Sequence, residues 1–528
     1  MYPNEILTGR QMIFTDYKEV TPDNVFNILA QGLMDHQTVR AEIINLFSYE
    51  AGNLPIFYRK KDIRPDINIQ VGINYARQFT NFKLGYNYGA EYTCVQRGRN
   101  DYEQSDAEQD DVRIARVNEM FYEAKKTEAE QSVFRDCIIC GVGYMGILPK
   151  RYAYTGVAPF DVLHLDPWNT FLIYTNDAYK RPIMAVTYNV RRDGVRIITA
   201  YTEDMIYEGD AFEVTYGEEE GREEKRWNTN GFTEYPNAFG RIPIVEFLYS
   251  QSRQGAWEPG ISIMDTLALI QSDRANDISQ YVQSLLWMND VQLDETQKSG
   301  LSNGGLIITK STADGREAKI AFVNAPLDQS STQKYVDSLY DQLLEIVGVP
   351  GRDDTSGGST GSAIILASGW QIAESTAKTS LLLADNSEEQ VLDVALAIIA
   401  NTPGIKDDVK SLKISDVKPY IGRNKTYELS SRVNSLAALI NIGIAPETAM
   451  AVVDIFADPH QVALDSSPRI NSLLGLNPDG SSAVVDGMND MGEEVPPEQV
   501  DAEIARLADN AWNNYGENKD LLRGVAEV

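Results

Sequence analysis

Residues 260–289, GISIMDTLALIQSDRANDISQYVQSLLWMN, set Ile263, Leu267, Ile270, Ile278, Tyr281, Val282 and Leu285 along one stripe, with Asp273, Arg274 and Asp277 off it. That rhythm predicts an amphipathic helix, and at 1.5 Å per residue it would run about 45 Å. The next stretch, GGLIITKSTADGREAKIAFVN, reads as two strands around an Asp-Gly turn, a hairpin over 304–324 that carries Lys310, Asp314, Gly315 and Arg316. Beyond it Tyr335, Val336, Leu339, Leu343, Leu344 and Val347 mark a second helix, stopped at GVPG. A long rod whose sequential partner is a helix returning through a hairpin cannot bury both of its faces within one chain. Copies packed in a closed ring through a heterologous interface would cover it, and such a ring has a hole.

Charge narrows what could occupy that hole. The 528 residues carry 47 Lys and Arg against 77 Asp and Glu, a formal net charge of -30. This excludes a function that depends on adhesive, non-specific contact with phosphate backbones, because each basic residue would hold a phosphate and each acid repels one. An acidic wall suits passage of a polyanion better than its capture. No run of about 18 apolar residues exists and the first residues lack a basic region followed by an apolar one, so we expect neither membrane insertion nor export. Cys94, Cys137 and Cys140 are too few for a disulfide framework.

The rest of the chain predicts an α+β protein of several domains. Pro22 to Tyr58 reads as two helices, through Val25, Ile28, Leu29 and Leu33 and then Val39, Ile43, Ile44 and Phe47. A helix ending at Gly85 or Gly89 leads into a strand, and one long amphipathic helix follows from Val112 to Ile138. Residues 141–250 change to short β-rich runs such as TFLIY, IMAVTYNV and VRIITAYT. Helix returns over 363–399, a strand over 417–423 and helix again over 426–456, before an acidic linker at 477–497 and a terminal helix near 500–508.

Several motifs invite chemistry and fail on a decisive residue. GRDDTSGGSTGSAI (351–364) is rich in Gly and Ser, but a phosphate cradle needs Lys after its last Gly, and Gly361 is followed by Ser362. GVGYMG (141–146) follows a helix and precedes Pro149, the reverse of the strand-then-helix order that aims a helix N-terminus at a pyrophosphate. CIIC (137–140) has half a zinc site's spacing, and Cys94 is the remaining thiol. His36, His164 and His460 stand apart from any acid pair in a recognisable motif, and no G-x-S-x-G, HExxH or EF-hand loop occurs. We therefore expect no catalytic residues, no metal and no cofactor. The rival reading, a nucleotide-binding enzyme using the Gly-rich turns, predicts a monomer or dimer with nucleotide affinity.

Motifs spread along nearly the whole chain carry a resemblance. INYARQFTNFKLGYNYGAEYTCV, CGVGYMGIL with VLHLDPWNTFLIYTND, GRIPIVEFLYSQSRQGAWEPGISIMDTLALIQSDRANDISQ, IVGVPGRDDTSGGSTGSAIILASGW and VKPYIGRNKTYELSSRVNSLAALINIGIAPETAM follow in order. In order and spacing they resemble the portal proteins of tailed bacteriophages, in particular the portals of Gram-positive phages.

That resemblance implies a portal fold: a β-rich wing over 1–259, stem helices at 260–289 and 330–349, an α/β clip over 290–329 and a tunnel loop over 350–362. A long helix returns to the wing over 363–440, and a helical crown with an acidic tail occupies 441–528. The loop residues Gly351, Arg352, Asp353, Asp354, Thr355, Ser356, Gly357, Gly358 and Ser359 would face DNA. Leu267, Ile270, Ile278, Tyr281, Val282, Leu285, Leu339 and Leu343 would pack stems of neighbouring subunits, and Lys310, Asp314, Gly315 and Arg316 would dock an adaptor. The resemblance further implies a dodecameric ring at one capsid vertex, double-stranded DNA passing without sequence specificity, and a large terminase, a head-tail adaptor, and major capsid and scaffolding proteins as partners. Its location would be the virion, with the host cytoplasm as the place of assembly.

Overall fold

The computed structural model describes residues 9–62, 65–89, 92–96, 107–150, 158–219, 222–282, 285–289, 319–323, 330–351, 370–421, 429–444, 446–453, 455–456, 462–463 and 466–469. From the start of the chain come β1 (Ile13–Thr15), α1 (Val25–Glu50), a 3-10 turn (Pro55–Tyr58), α2 (Tyr75–Asn87) and β2 (Tyr92–Gln96). Next are α3 (Ala107–Glu123), α4 (Lys126–Cys140), β3 (Val142–Pro149), β4 (Phe160–Leu165), β5 (Thr170–Thr175) and β6 (Pro182–Val190). They are followed by β7 (Arg196–Tyr201), β8 (Met205–Glu219), β9 (Arg222–Pro236), β10 (Ile244–Leu248) and α5 (Ile261–Val282). The remainder is β11 (Leu285–Asn289), β12 (Lys319–Val323), α6 (Ser330–Val347), α7 (Trp370–Asn401), β13 (Val417–Ile421), α8 (Leu429–Asn441) and α9 (Pro446–Val453). Helix and sheet are mixed, in keeping with the α+β class. The chain divides into two units, Met1–Glu91 with Val117–Ile414, and Tyr92–Arg116 with Ser415–Val528.

In the first unit a six-stranded sheet runs β1-β5-β6-β7-β8-β9, and α1 lies on it with Val25, Ile28, Leu29 and Leu33 buried against Phe171, Ile173 and Val186. α1 is one helix where the periodicity suggested two. Its Gly32 sits close on β5, where a Cβ would come 2.7 Å from Ile173 Cδ1, so this glycine serves packing and does not interrupt the helix. His36 points into the same core, stacked on Phe171 at 4.4 Å and 3.2 Å from the Tyr188 hydroxyl. Burial, with Arg196 and Arg40 nearby, lowers its pKa to about 3, so it stays neutral.

A second sheet, β10-β3-β4, packs on α4. The predicted helix over 112–138 is two helices, because Lys125 takes a left-handed conformation (φ 54) between α3 and α4. The break turns Lys126 inward, 2.8 Å from Glu388 of α7 and 3.5 Å from Glu130, all three buried. Burial and the neighbouring Glu388 charge push the Glu130 carboxyl up, against the pull of Lys126.

GVGYMG is a helix cap followed by a strand, as its order implied: Gly141 ends α4 at φ 85, and a Cβ there would lie 2.3 Å from the Arg253 carbonyl oxygen. Cys137 and Cys140 are free and buried, and burial raises both thiols. His164 does not stand apart: its Nε2 lies 2.6 Å from Asp136 Oδ2, a pairing across α4 and β4 that sequence spacing does not reveal. His460 lies outside the described residues.

In this unit Glu246 on β10 gathers four side-chain hydrogen bonds. Arg253 donates to both of its oxygens at 2.6 and 2.7 Å, and the Tyr144 and Tyr174 hydroxyls donate at 2.8 Å each. Burial alone would push this carboxyl up, yet Arg253 and the donated hydrogen bonds hold it below the usual range. Arg253 Nε also donates to the Arg10 carbonyl at 2.7 Å, tying the first described residues to the sheet.

The second unit pairs β2 with β13 antiparallel, from Tyr92 opposite Ile421 to Gln96 opposite Val417, and adds α8 and α9. The acidic linker and the terminal helix expected near 500–508 lie outside the described residues.

Candidate functional site

α5 and α6 are antiparallel neighbours. Gly260, just before α5, leaves room for Leu343 of α6, whose Cδ1 would be 2.5 Å from a Cβ there. Farther along, Arg274 donates to Gln333 Oε1 at 2.8 Å. α5 spans 22 residues, about 33 Å, shorter than expected because the chain leaves helix for β11.

Leu285 is therefore a strand residue opposite Val323, not a helical one. Leu267 and Leu343 are 1% and 0% exposed within the single chain, so they belong to its own core and not to a seam between subunits. Ile270 and Leu339 are half-buried, and Ile278 is 48% exposed. Tyr281 and Val282 close α5, and their side chains lie outside what is described. β12 pairs with β11 in the described residues, a pairing the sequence did not announce. Residues 304–318 of that hairpin, with Lys310, Asp314, Gly315 and Arg316, fall outside, as do Arg352, Asp353, Asp354, Thr355, Ser356, Gly357, Gly358 and Ser359; Gly351 is described.

α5 has a second partner that the sequence did not announce. Ile69 N–H donates to Asn276 Oδ1 at 2.7 Å while Asn276 Nδ2 donates back to the Ile69 carbonyl at 3.2 Å. One turn earlier Val71 N–H donates to Ser272 Oγ at 2.9 Å. Residues four apart on a helix and two apart on an extended chain both advance about 6 Å, so the two side chains grip one edge of the segment. Arg59 adds an ion pair to Asp273 at 2.8 Å, and the Tyr49 hydroxyl donates to Asp265 at 2.9 Å. The readable signal was a Ser and an Asn at i and i+4 on the buried side of an apolar stripe.

α6 stops at GVPG as expected. Gly348 adopts φ 66, its N–H donates to the Glu345 carbonyl at 3.1 Å, and Val349 N–H donates to the Leu344 carbonyl at 2.9 Å. Among the described residues no group of three or more His, Cys, Asp or Glu could hold a metal ion, and no helix is long and apolar enough to cross a membrane.

A helix, a β-ribbon and a returning helix thus follow the sheet-rich part of the first unit. Residues 33–463 match the family model described as phage portal protein, SPP1 Gp6-like. The chain belongs to that family, and its function is to form the channel for DNA packaging. Nothing matches among curated proteins. Family membership brings an oligomeric ring, passage of DNA and a place at the capsid vertex of the virion, in a family that is generally structural. The nucleotide-binding alternative finds no support.

Proposed function

We propose that the chain is the subunit of a dodecameric ring whose lumen is lined by its paired rods. In this reading 1–259 form the wing, α5 and α6 the stem, 290–329 the clip, 350–362 the tunnel loop, 363–440 the long helix returning to the wing, and 441–528 the crown. The observation that carries it is the antiparallel α5–α6 pair, which leaves Leu269, Ile278, Tyr335 and Ile346 exposed on the single chain. Apolar side chains on a rod are left uncovered where another molecule supplies the cover, and a ring supplies it with sister rods.

A duplex beside a rod of about 33 Å presents about 20 phosphates at one charge per 1.7 Å, so even weak attraction per phosphate would sum to a brake. The net charge of -30 opposes that attraction. Asp353 and Asp354 would add repulsion where Gly and Ser let the loop follow the duplex. The energy of translocation comes, in this reading, from a separate ATPase, the large terminase, docking at the clip. A head-tail adaptor binds there later, major capsid and scaffolding proteins are further partners, and assembly takes place in the host cytoplasm.

Negative-stain images of the purified protein test the ring directly: closed rings with a central opening are expected, and a solitary particle without one at assembly concentrations overturns the reading. Asp353→Lys combined with Asp354→Lys should leave assembly intact and impair DNA passage in a packaging assay. Full packaging by that variant would remove the role given to the acidic loop.

A further inference from the structure

We propose that α2 clamps the end of α6 to the start of α7, on either side of segment 352–369, with Lys83 as the positioning residue on α6 and Phe82 and Tyr86 as the seat for α7. The functional consequence rests on the reading of that segment as the tunnel loop; the clamp itself rests on the following contacts.

Lys83 is buried, and its Nζ donates to the carbonyl of Gly348 at 3.1 Å. No carboxylate pairs with it among the described residues, and burial alone lowers its pKa to about 8. An ammonium placed without an acid partner in a protein interior is costly unless another negative group compensates. Here the compensating group is the C-terminus of α6, whose last carbonyls carry the negative end of the helix dipole. Gly348 is where α6 ends, and a Cβ there would meet Thr376 Oγ1 at 3.0 Å and Lys83 Nζ at 3.4 Å. The end of α6, the lysine and the start of α7 thus converge on one point.

The other end is held by the same turn of α2. Trp370, the first residue of α7, has its ring 5.6 Å from Tyr86 and 6.1 Å from Phe82. Tyr86 also packs on Ala373 and Ala377, and its hydroxyl donates to Glu374 Oε2 at 2.8 Å. One residue on, Asn87 Nδ2 donates to Ser380 Oγ at 3.2 Å. Residues 82, 83, 86 and 87 share one face of a helix, so a single rigid element fixes where the chain leaves α6 and where it enters α7. Force applied to the intervening segment is delivered to α2 and does not unwind the last turn of α6.

Hydrogen exchange on the full-length chain tests this, read at the amides of Gly348 and Val349 and over 370–374. Lys83→Met should raise exchange at Gly348 and Val349 at least tenfold, and Lys83→Arg, which keeps a cation there, should restore most of the protection. Tyr86→Phe, which removes the bond to Glu374, should raise exchange over 370–374 severalfold and keeps the proposal testable if Lys83→Met does not fold. Unchanged exchange at the corresponding end in either variant overturns the clamp, whether or not rings form. Raised exchange with undiminished DNA packaging overturns its functional role, while rings in the same preparation leave the channel reading standing.

Discussion

The body around Glu246 and the rods α5 and α6 treat their side chains in opposite ways. Around Glu246 a carboxylate, a guanidinium and two phenols satisfy one another inside a single chain. On the rods, Leu267 and Leu343 are buried and Ser272 and Asn276 are bonded, yet Ile278 and Tyr335 face outward. Interactions completed within one molecule stabilise a fold; apolar surface left over after folding stabilises an assembly. On the reading proposed above, the body carries stability and the outer faces of the rods carry association, and substitutions can separate the two.

Among the polar groups of the body, the largest effect on the single chain should come from Glu246→Ala, which strands Arg253 as a buried unpaired cation. Breaking such a pair costs about 3–5 kcal/mol, read as a shift in the urea midpoint. Second comes acid. His36 has a folded pKa of about 3 against about 6.5 when unfolded. The unfolded chain takes up the proton first, so stability is full above pH 6.5 and is lost as pH falls toward 3. Between pH 7 and pH 5 the loss should be about 2 kcal/mol, and His36→Gln should flatten that part of the profile.

A smaller change, of opposite sign, is expected at Glu130. Its carboxyl is held above the unfolded value by burial and Glu388, so the fold retains a proton that the unfolded chain gives up above pH 4.5. Stability then declines as pH rises, and Glu130→Gln should restore about 1 kcal/mol or more at pH 8 while changing little at pH 4.5. Smallest of all for the single chain is Ile278→Asp, within about 0.5 kcal/mol as for other exposed positions. Sedimentation should nevertheless show that the rings are lost. Leu267→Asp should do the reverse of what its stripe position alone implied, unfolding the chain before assembly is reached; an intact monomer from that variant would break the comparison.

Much of the fold was legible. The apolar spacing of α5 and α6, the β-rich stretch from Gly141, the stop at Gly348 and the reversed order around GVGYMG all follow from residues near one another in the chain. Where the reading failed, the cause was distant. The break at Lys125 accompanies the ion pair of Lys126 with Glu388, α5 gives way to a strand because 285–289 pairs with 319–323, and His164 finds Asp136 on a neighbouring element. In the candidate site, the stripe located the rods but did not say which of its members faced inward.

By itself the sequence determined periodicity, turn chemistry, charge and the lack of a lysine behind the Gly/Ser segment, because each depends on side chains within a few residues or on a simple sum. Only the tertiary structure decided that Ser272 and Asn276 hold residues 69–71 and that Lys83 ends on a carbonyl 265 positions away. Those choices rest on which buried polar groups can reach a partner once the elements are packed, and sequence separation carries no record of that.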